Sequence, residues 1–68
     1  MENNKYNLTN REFDILKRMV KGMSNYEIAD ELFLSYHTIK IHVASILRKL
    51  NTKNRISASI KAIMEEII

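Results

Sequence analysis

The sequence contains no cysteine and no proline, and glycine occurs once in 68 residues. The lack of cysteine excludes disulfides, zinc–thiolate sites and thiol chemistry, and it is typical of a reducing, intracellular setting. So few turn-forming residues argue against a fold of many β-strands. No apolar run is longer than three residues, which argues against a membrane span or a signal-peptide core. The composition therefore predicts one small, helical, cytoplasmic domain that has no membrane partner.

Acidic residues are absent between Leu32 and Met64, a stretch that carries six Lys and Arg side chains. Residues 1–31 are nearly balanced, with five basic and six acidic side chains. A basic half beside a balanced half is expected of a protein that binds a phosphate backbone. A basic surface that is merely solvated gives the same pattern. Charge alone therefore leaves DNA binding and a partner-free basic surface both open.

Helix starts are marked by N-capping residues. Thr9 with Glu12, and Ser24 with Glu27, have the spacing of capping boxes, and Ser35 can cap a third helix. The single glycine, Gly22, is suited to end the first helix in a left-handed conformation. The pattern predicts an all-α fold with helices over 10–20, 25–32, 36–50 and from about 54 to the end. Residues 1–7 are polar and aperiodic, so we expect a flexible lead-in or linker remnant before a domain over 8–68.

The second and third predicted helices are joined by three residues, 33–35, which is the length of the turn in a helix-turn-helix unit. The small Ala29 lies where the two helices would cross, and apolar residues surround that point. Phe33 occupies the position where such turns often have glycine, so the turn cannot rely on a left-handed glycine there. The spacing predicts a central helix-turn-helix, without a wing, whose second helix enters the DNA major groove.

The third helix has one apolar side and one mixed side when it is rotated by 100° per residue. Ile41 lies in the middle of the mixed side and is either a scattered surface residue or a contact for a thymine methyl group. Lys40 and Arg48 would then reach base edges or phosphates. The mixed side and its edges comprise His37, Thr38, Lys40, Ile41, His42, Ala44, Ser45, Arg48 and Lys49.

The fourth helix carries more apolar surface than one packing contact needs. Ala58 and Ala62 suit a close approach to another helix, and an isoleucine stripe lies about 140° away from them. A surplus stripe on a small domain usually marks an interface, although Ile60 and Ile63 could instead complete the core. The stripe predicted to form a homodimer interface, weak or induced by DNA, consists of Ile56, Ile60, Ile63 and Ile67.

No residue pattern indicates an enzyme, a cofactor or a metal site. His37 and His42 point about 140° apart on a helix and cannot share a metal ion. No carboxylate pair and no nucleophile with a neighbouring base emerges from the spacing. Tyr26 and Tyr36 each follow a helix cap, where the phenol either reaches a phosphate or covers the turn.

Taken together, these motifs resemble the LuxR/FixJ/GerE-type DNA-binding domain over residues 8–62. The likeness runs from Leu8-Thr9-x-Arg11-Glu12 through Gly22-x-Ser24-Asn25-x-Glu27-Ile28-Ala29 to Thr38-Ile39-Lys40-x-His42, and it ends with Lys49-Leu50, Arg55 and Ala58. The resemblance implies a four-helix, sequence-specific transcription regulator. It also implies an output domain of a response regulator or a stand-alone regulator, with RNA polymerase as a further partner.

The resemblance also implies roles for individual residues. Lys40, Ile41 and Ala44 match positions that commonly face bases, although Ala44 replaces a long polar side chain of many relatives. The positions near phosphates are matched by Asn25, Thr38 and Arg55, and the fourth helix of the family supports dimerisation. The DNA-binding residues predicted from pattern and resemblance together are Asn25, Tyr36, His37, Thr38, Lys40, Ile41, Ala44, Ser45, Arg48, Lys49 and Arg55.

Two other functions compete with this prediction. A region-four module of a sigma factor also uses a helix-turn-helix, but it has little use for a fourth helix with an isoleucine stripe. A helical protein-interaction module that has lost DNA binding is the third possibility. The decline of DNA affinity with salt separates that module from both DNA-binding alternatives.

Overall fold

The computed structural model describes residues 5–68 and contains four α-helices and no strand in that range. These are α1 (Asn10–Val20), α2 (Asn25–Leu32), α3 (Tyr36–Leu50) and α4 (Arg55–Met64). The all-α prediction is confirmed, and the first three helices have the predicted bounds. The fourth ends at Met64 instead of continuing to the end of the chain.

Each helix begins at a side chain that accepts a hydrogen bond from the first turn. Thr9 and Glu12 form a reciprocal capping box, with the Glu12 amide 3.0 Å from Thr9 Oγ1 and the Thr9 amide 2.9 Å from Glu12 Oε1. Ser24 and Glu27 repeat this arrangement. Since these partners are three residues apart, local sequence is sufficient to define where α1 and α2 start.

All four helices end at or just before a residue with positive φ, namely Gly22, Phe33, Asn51 and Glu66. The following amide then bonds back to a carbonyl inside the helix, for example the Leu34 amide to the Ala29 carbonyl at 2.9 Å. This pattern is the Schellman motif. The predicted cap at Gly22 is confirmed, whereas at Phe33 an ordinary side chain takes the left-handed conformation.

We predict that Phe33→Gly stabilises the domain. The left-handed conformation strains a residue that has a Cβ atom, and the Phe33 side chain is 94% exposed, so its removal loses little burial. Glycine relieves the strain in the folded state, but it also gives the unfolded chain more backbone entropy. The net effect should raise the free energy of unfolding by about 0.5–1 kcal/mol. Urea unfolding measures the change, with Phe33→Ala as the control that keeps the strain. A loss of stability in Phe33→Gly would show that the ring contributes to the turn.

The core lies where α3 crosses the other helices, because α3 packs against α1, α2 and α4. Its predicted apolar side faces inward, and Ala58 and Ala62 bring α4 close to its neighbours with no exposed surface. The largest fully buried side chains are Ile15, Leu16, Ile28, Ile39, Ile46 and Leu50. This packing leaves the opposite side of α3 free along its length.

The conformation of the chain after α4 differs from the one assumed for the predicted isoleucine stripe, and one residue of the stripe is affected. After Met64 the chain turns at Glu66, and the Ile67 amide bonds to the Ala62 carbonyl at 2.9 Å. This turn directs Ile67 into the core, where it is buried, so its inclusion in a dimer interface is wrong. Ile60 and Ile63 remain exposed, and the alternative that they complete the core is therefore also wrong.

The predicted lead-in, residues 1–7, is only partly covered, since 1–4 lie outside the described residues. Within the remainder, Tyr6 packs against the core and donates a hydrogen bond from its hydroxyl to Glu65. Lys5 lies 3.5 Å from the same carboxylate. Lys5 and Tyr6 thus contact the end of α4. The domain boundary at residue 8 stays a prediction.

Candidate nucleic-acid interface

The candidate interface is the outer face of α3, defined here as Tyr36, His37, Lys40, Ile41, Ala44 and Arg48. All six side chains are exposed, on a helix of 15 residues. Lys40 and Arg48 are eight residues apart and therefore about 12 Å apart along the axis. The exposed Ile41 follows Lys40 directly and lies two helical turns before Arg48, so the face combines two cations with one apolar contact. Such a combination can reach the acceptors and the thymine methyl groups of a major groove.

Ser45 and Lys49, which the sequence placed in the DNA-binding set, are instead occupied with α1. Ser45 donates to Glu12 Oε2 at 2.5 Å, and the Lys49 ammonium lies 2.7 Å from Glu12 Oε1. Lys49 also donates to the Asn7 carbonyl at 2.9 Å. Both side chains lie at the border between the buried and exposed sides of α3. At such positions helical rotation by 100° per residue does not predict whether a side chain meets solvent or a neighbouring helix. We therefore assign them to the α1–α3 contact and not to the interface.

Glu12 is the one buried charged residue in the part of the chain that the structure describes. Burial alone would raise the pKa of this carboxyl, but hydrogen bonds from Lys49, Ser45 and the Thr9 amide outweigh it and lower the pKa from 4.5 to about 2. The carboxylate is therefore ionised at neutral pH. From the sequence, Glu12 was identified only as part of a capping box, and its contacts with α3 were not predicted.

The residues predicted near phosphates include two that bind each other. The Arg55 guanidinium donates to Asn25 Oδ1 at 2.6 Å and to the Met23 carbonyl at 2.8 Å. These bonds join the start of α4 to the start of α2. The Asn25 amide nitrogen and the remaining Arg55 N–H groups are donors of the kind that contact phosphate oxygens. Thr38, in the first turn of α3, is half-buried and takes a hydrogen bond from Ser35 at 2.8 Å.

Two tyrosines form a contact that the sequence did not predict. The rings of Tyr26 and Tyr36 are stacked, with centroids 4.0 Å apart and planes inclined by 16°. The Lys40 ammonium lies 5.7 Å from the centroid of Tyr36. The sequence showed that the two tyrosines lie in the first turns of successive helices. It could not show that their rings stack, because this depends on how α2 and α3 cross.

Within residues 5–68, no group of three or more His, Cys, Asp or Glu side chains is placed to hold a metal ion. None of the helices described is long and apolar enough to cross a membrane. The exposed face of α3 combines positive charge, exposure and a regular helical scaffold.

Comparison with known proteins identifies the family. Residues 6–62 match the model for bacterial regulatory proteins of the luxR family, named GerE. The nitrate/nitrite response regulator protein NarP of Escherichia coli is 45% identical over 53 residues, which are 78% of this chain and 25% of that protein. The response regulator protein VraR of Staphylococcus aureus is 43% identical over 61 residues, which are 90% of this chain and 29% of that protein. The chain thus spans about a quarter of the length of these relatives.

A solved structure agrees with this result. The crystal structure of the response regulator ChrA, from a heme-sensing two-component system, superposes with a TM-score of 0.85 at 38% identity. The match covers 90% of this chain and 30% of that chain. Fold, helix-turn-helix and family thus agree, and the family is one of DNA-binding regulators rather than enzymes. The chain belongs to the luxR family of bacterial regulatory proteins and contains the helix-turn-helix DNA-binding domain of that family.

Proposed function

We propose that the domain reads DNA sequence by placing α3 in the major groove. The observation that carries this proposal is the exposed outer face of α3, which presents Lys40, Ile41 and Arg48 together. A helix fits the major groove, where lysine and arginine donate to guanine acceptors and an apolar side chain contacts the thymine methyl group. Asn25, Thr38 and Arg55 would lie beside the groove and contact phosphates, which orient the domain without reading bases.

The first test is the salt dependence of binding to a mixed-sequence duplex. We expect measurable affinity at low salt that falls linearly on a plot of log affinity against log salt concentration, because phosphate contacts release counterions. Replacing the exposed Arg48 by Gln should lower the magnitude of the slope by about 1. Lys17→Gln, on α1, removes an equal charge and should leave the slope unchanged. Absence of binding at low salt would favour a protein-interaction module instead.

We propose further that two copies bind together through the exposed part of α4. Ile56, Ile60 and Ile63 lie on one side of this helix, and Ile60 is 55% exposed. They line a shallow apolar groove with Met19. The longest dimension of the domain is 28 Å, less than the separation of about 34 Å between major-groove segments one turn apart. One domain is thus too short to span two such segments, and a second copy would occupy the neighbouring half-site.

Ile60→Asp is expected to remove cooperative binding to two half-sites while a single half-site is still bound. A charge in the centre of the stripe would have to be desolvated in the dimer, so occupancy of the second half-site should weaken by about tenfold or more. Gel-shift titrations on one-site and two-site duplexes measure this loss. Ser57→Asp, at an exposed position of α4 outside the isoleucine stripe, adds the same single negative charge and is the control. Unchanged cooperativity in Ile60→Asp would remove α4 from the interface.

The relatives suggest how the domain is used in a whole protein. NarP and VraR are response regulators about four times as long as the matched region. We infer that this chain acts as the output domain of a cytoplasmic response regulator, with RNA polymerase as a further partner. A signal received elsewhere would then control how two copies of α4 meet on DNA.

A further inference from the structure

The stacked tyrosines lie outside the core. Tyr26 is 68% exposed, although its ring is stacked on Tyr36. The crossing of α2 and α3 is already filled by the buried residues Ile28, Ala29 and Ile39. Tyr26 therefore adds little to the packing of the two helices. What it contacts is the ring of Tyr36, at the beginning of the helix that carries the candidate interface.

Tyr36 in turn lies one helical turn before Lys40. Residues four apart are neighbours on a helix surface, and the Lys40 ammonium is 5.7 Å from the Tyr36 centroid. An ammonium at this distance from an aromatic ring is attracted by the negative face of the ring. Since Tyr26 covers one face of Tyr36 at 4.0 Å, only the other face is open to the ammonium. The three side chains thus form a stack that ends in a cation.

Lys5, Lys17 and Lys61 also lie within about 6 Å of the centroid of an aromatic ring. Each of these three also has an ion-pair or hydrogen-bond partner, whereas the Tyr36 ring is the contact that residues 5–68 give to Lys40. Lys49 donates to a carboxylate and Lys61 to the Leu50 carbonyl, so part of their hydrogen-bonding capacity is used inside the domain. An aromatic face restrains an ammonium without occupying its N–H donors. A lysine side chain loses conformational entropy when a contact fixes it. Partial restraint before binding reduces that loss and increases affinity.

We infer that Tyr26 is a positioning residue for sequence recognition, acting through Tyr36 on Lys40. Tyr26 fixes the Tyr36 ring, and the ring holds the Lys40 ammonium on the outer face of α3 with its donors directed to the groove. This inference rests on the proposed function, in which Lys40 contacts base edges. It adds Tyr26, a residue of α2 that does not belong to the outer face of α3, to the determinants of specificity.

The test compares Tyr26→Ala with Tyr26→Phe. Affinity is measured for a duplex that the wild-type domain selects from a random-sequence library and for a mixed-sequence duplex at the same salt concentration. Tyr26→Ala removes the stack and should lower affinity for the selected duplex about threefold to tenfold, with little change for the mixed one. Tyr26→Phe keeps the stack and should retain wild-type selectivity. Phe33→Ala is the control for loss of an exposed aromatic ring, and thermal unfolding verifies that each variant is folded.

Two further results separate the possible outcomes. In a Lys40→Ala background, Tyr26→Ala should have no additional effect on selectivity, since its target side chain is gone. Additive effects of the two substitutions would overturn the inference. Equal losses in Tyr26→Ala and Tyr26→Phe would also overturn it, because they would indicate that the phenol hydroxyl contacts DNA directly. If Lys40→Ala loses selectivity while Tyr26→Ala keeps it, the inference fails and the proposed function stands. If the wild type selects no sequence, both fail.

Discussion

Glu12→Gln is expected to destabilise the domain by about 2–4 kcal/mol, because it leaves the Lys49 ammonium without its carboxylate in a largely buried contact. The substitution preserves the size of the side chain and an oxygen that can still accept from the Thr9 amide. The loss therefore reports the ion pair with Lys49 rather than the cap, since the new amide group can still donate to Ser45 Oγ. For a small domain, this is a large fraction of a total stability of about 5–15 kcal/mol.

The chain offers a matched control in its second capping box. Glu27 accepts from the Ser24 amide at 2.7 Å, as Glu12 does from Thr9, but it is exposed and no contact with α3 is described for it. Glu27→Gln should therefore cost about 0.5 kcal/mol or less. Urea unfolding of both variants at neutral pH measures the difference. Equal losses would show that the contacts of Glu12 with α3 contribute nothing.

The same carboxylate predicts a dependence of stability on pH. The pKa of Glu12 is lowered from 4.5 to about 2 in the folded state, so the folded form binds its proton less readily than the unfolded form. Its contribution, about 3 kcal/mol at most, is present above pH 4.5 and is lost as the pH falls towards 2. Glu12→Gln should lack this part of the acid dependence.

Local patterns predicted the helices well because the responsible contacts are short in sequence. The caps at Thr9, Ser24 and Asn54 bind amides three residues away, and Gly22 tolerates the conformation that ends α1. Helical rotation also separated the buried side of α3 from its exposed side. The alanines of α4 pack inward as their small size indicated.

Contacts between helices were predicted less well. Glu12 and Lys49 are 37 residues apart, and nothing in their local sequence shows that α1 and α3 bring them together. Ile67 was placed on the α4 stripe by assuming that the helix continued, whereas the turn at Glu66 has no glycine or asparagine to announce it. The stack of Tyr26 on Tyr36 likewise depends on the crossing of two helices.

Lys40→Ala is expected to lower affinity for the selected duplex by about 1–3 kcal/mol, the value of a good contact to a base edge. The Lys40 side chain is exposed and has no ion-pair partner in residues 5–68, so folding should be nearly unaffected. Val43→Ala, on the buried side of the same helix, should behave oppositely. It should lose about 1 kcal/mol of stability and keep its selectivity.

The direct test of sequence reading by α3 is the ratio of affinities for the selected and mixed-sequence duplexes, measured at one salt concentration. Lys17→Ala is the matched control, because it removes the same charge from α1, away from the outer face of α3. If α3 reads the sequence, the ratio should be about 5-fold to 150-fold lower in Lys40→Ala and unchanged in Lys17→Ala. An unchanged ratio in Lys40→Ala, or equal reductions in both variants, would contradict sequence reading by α3.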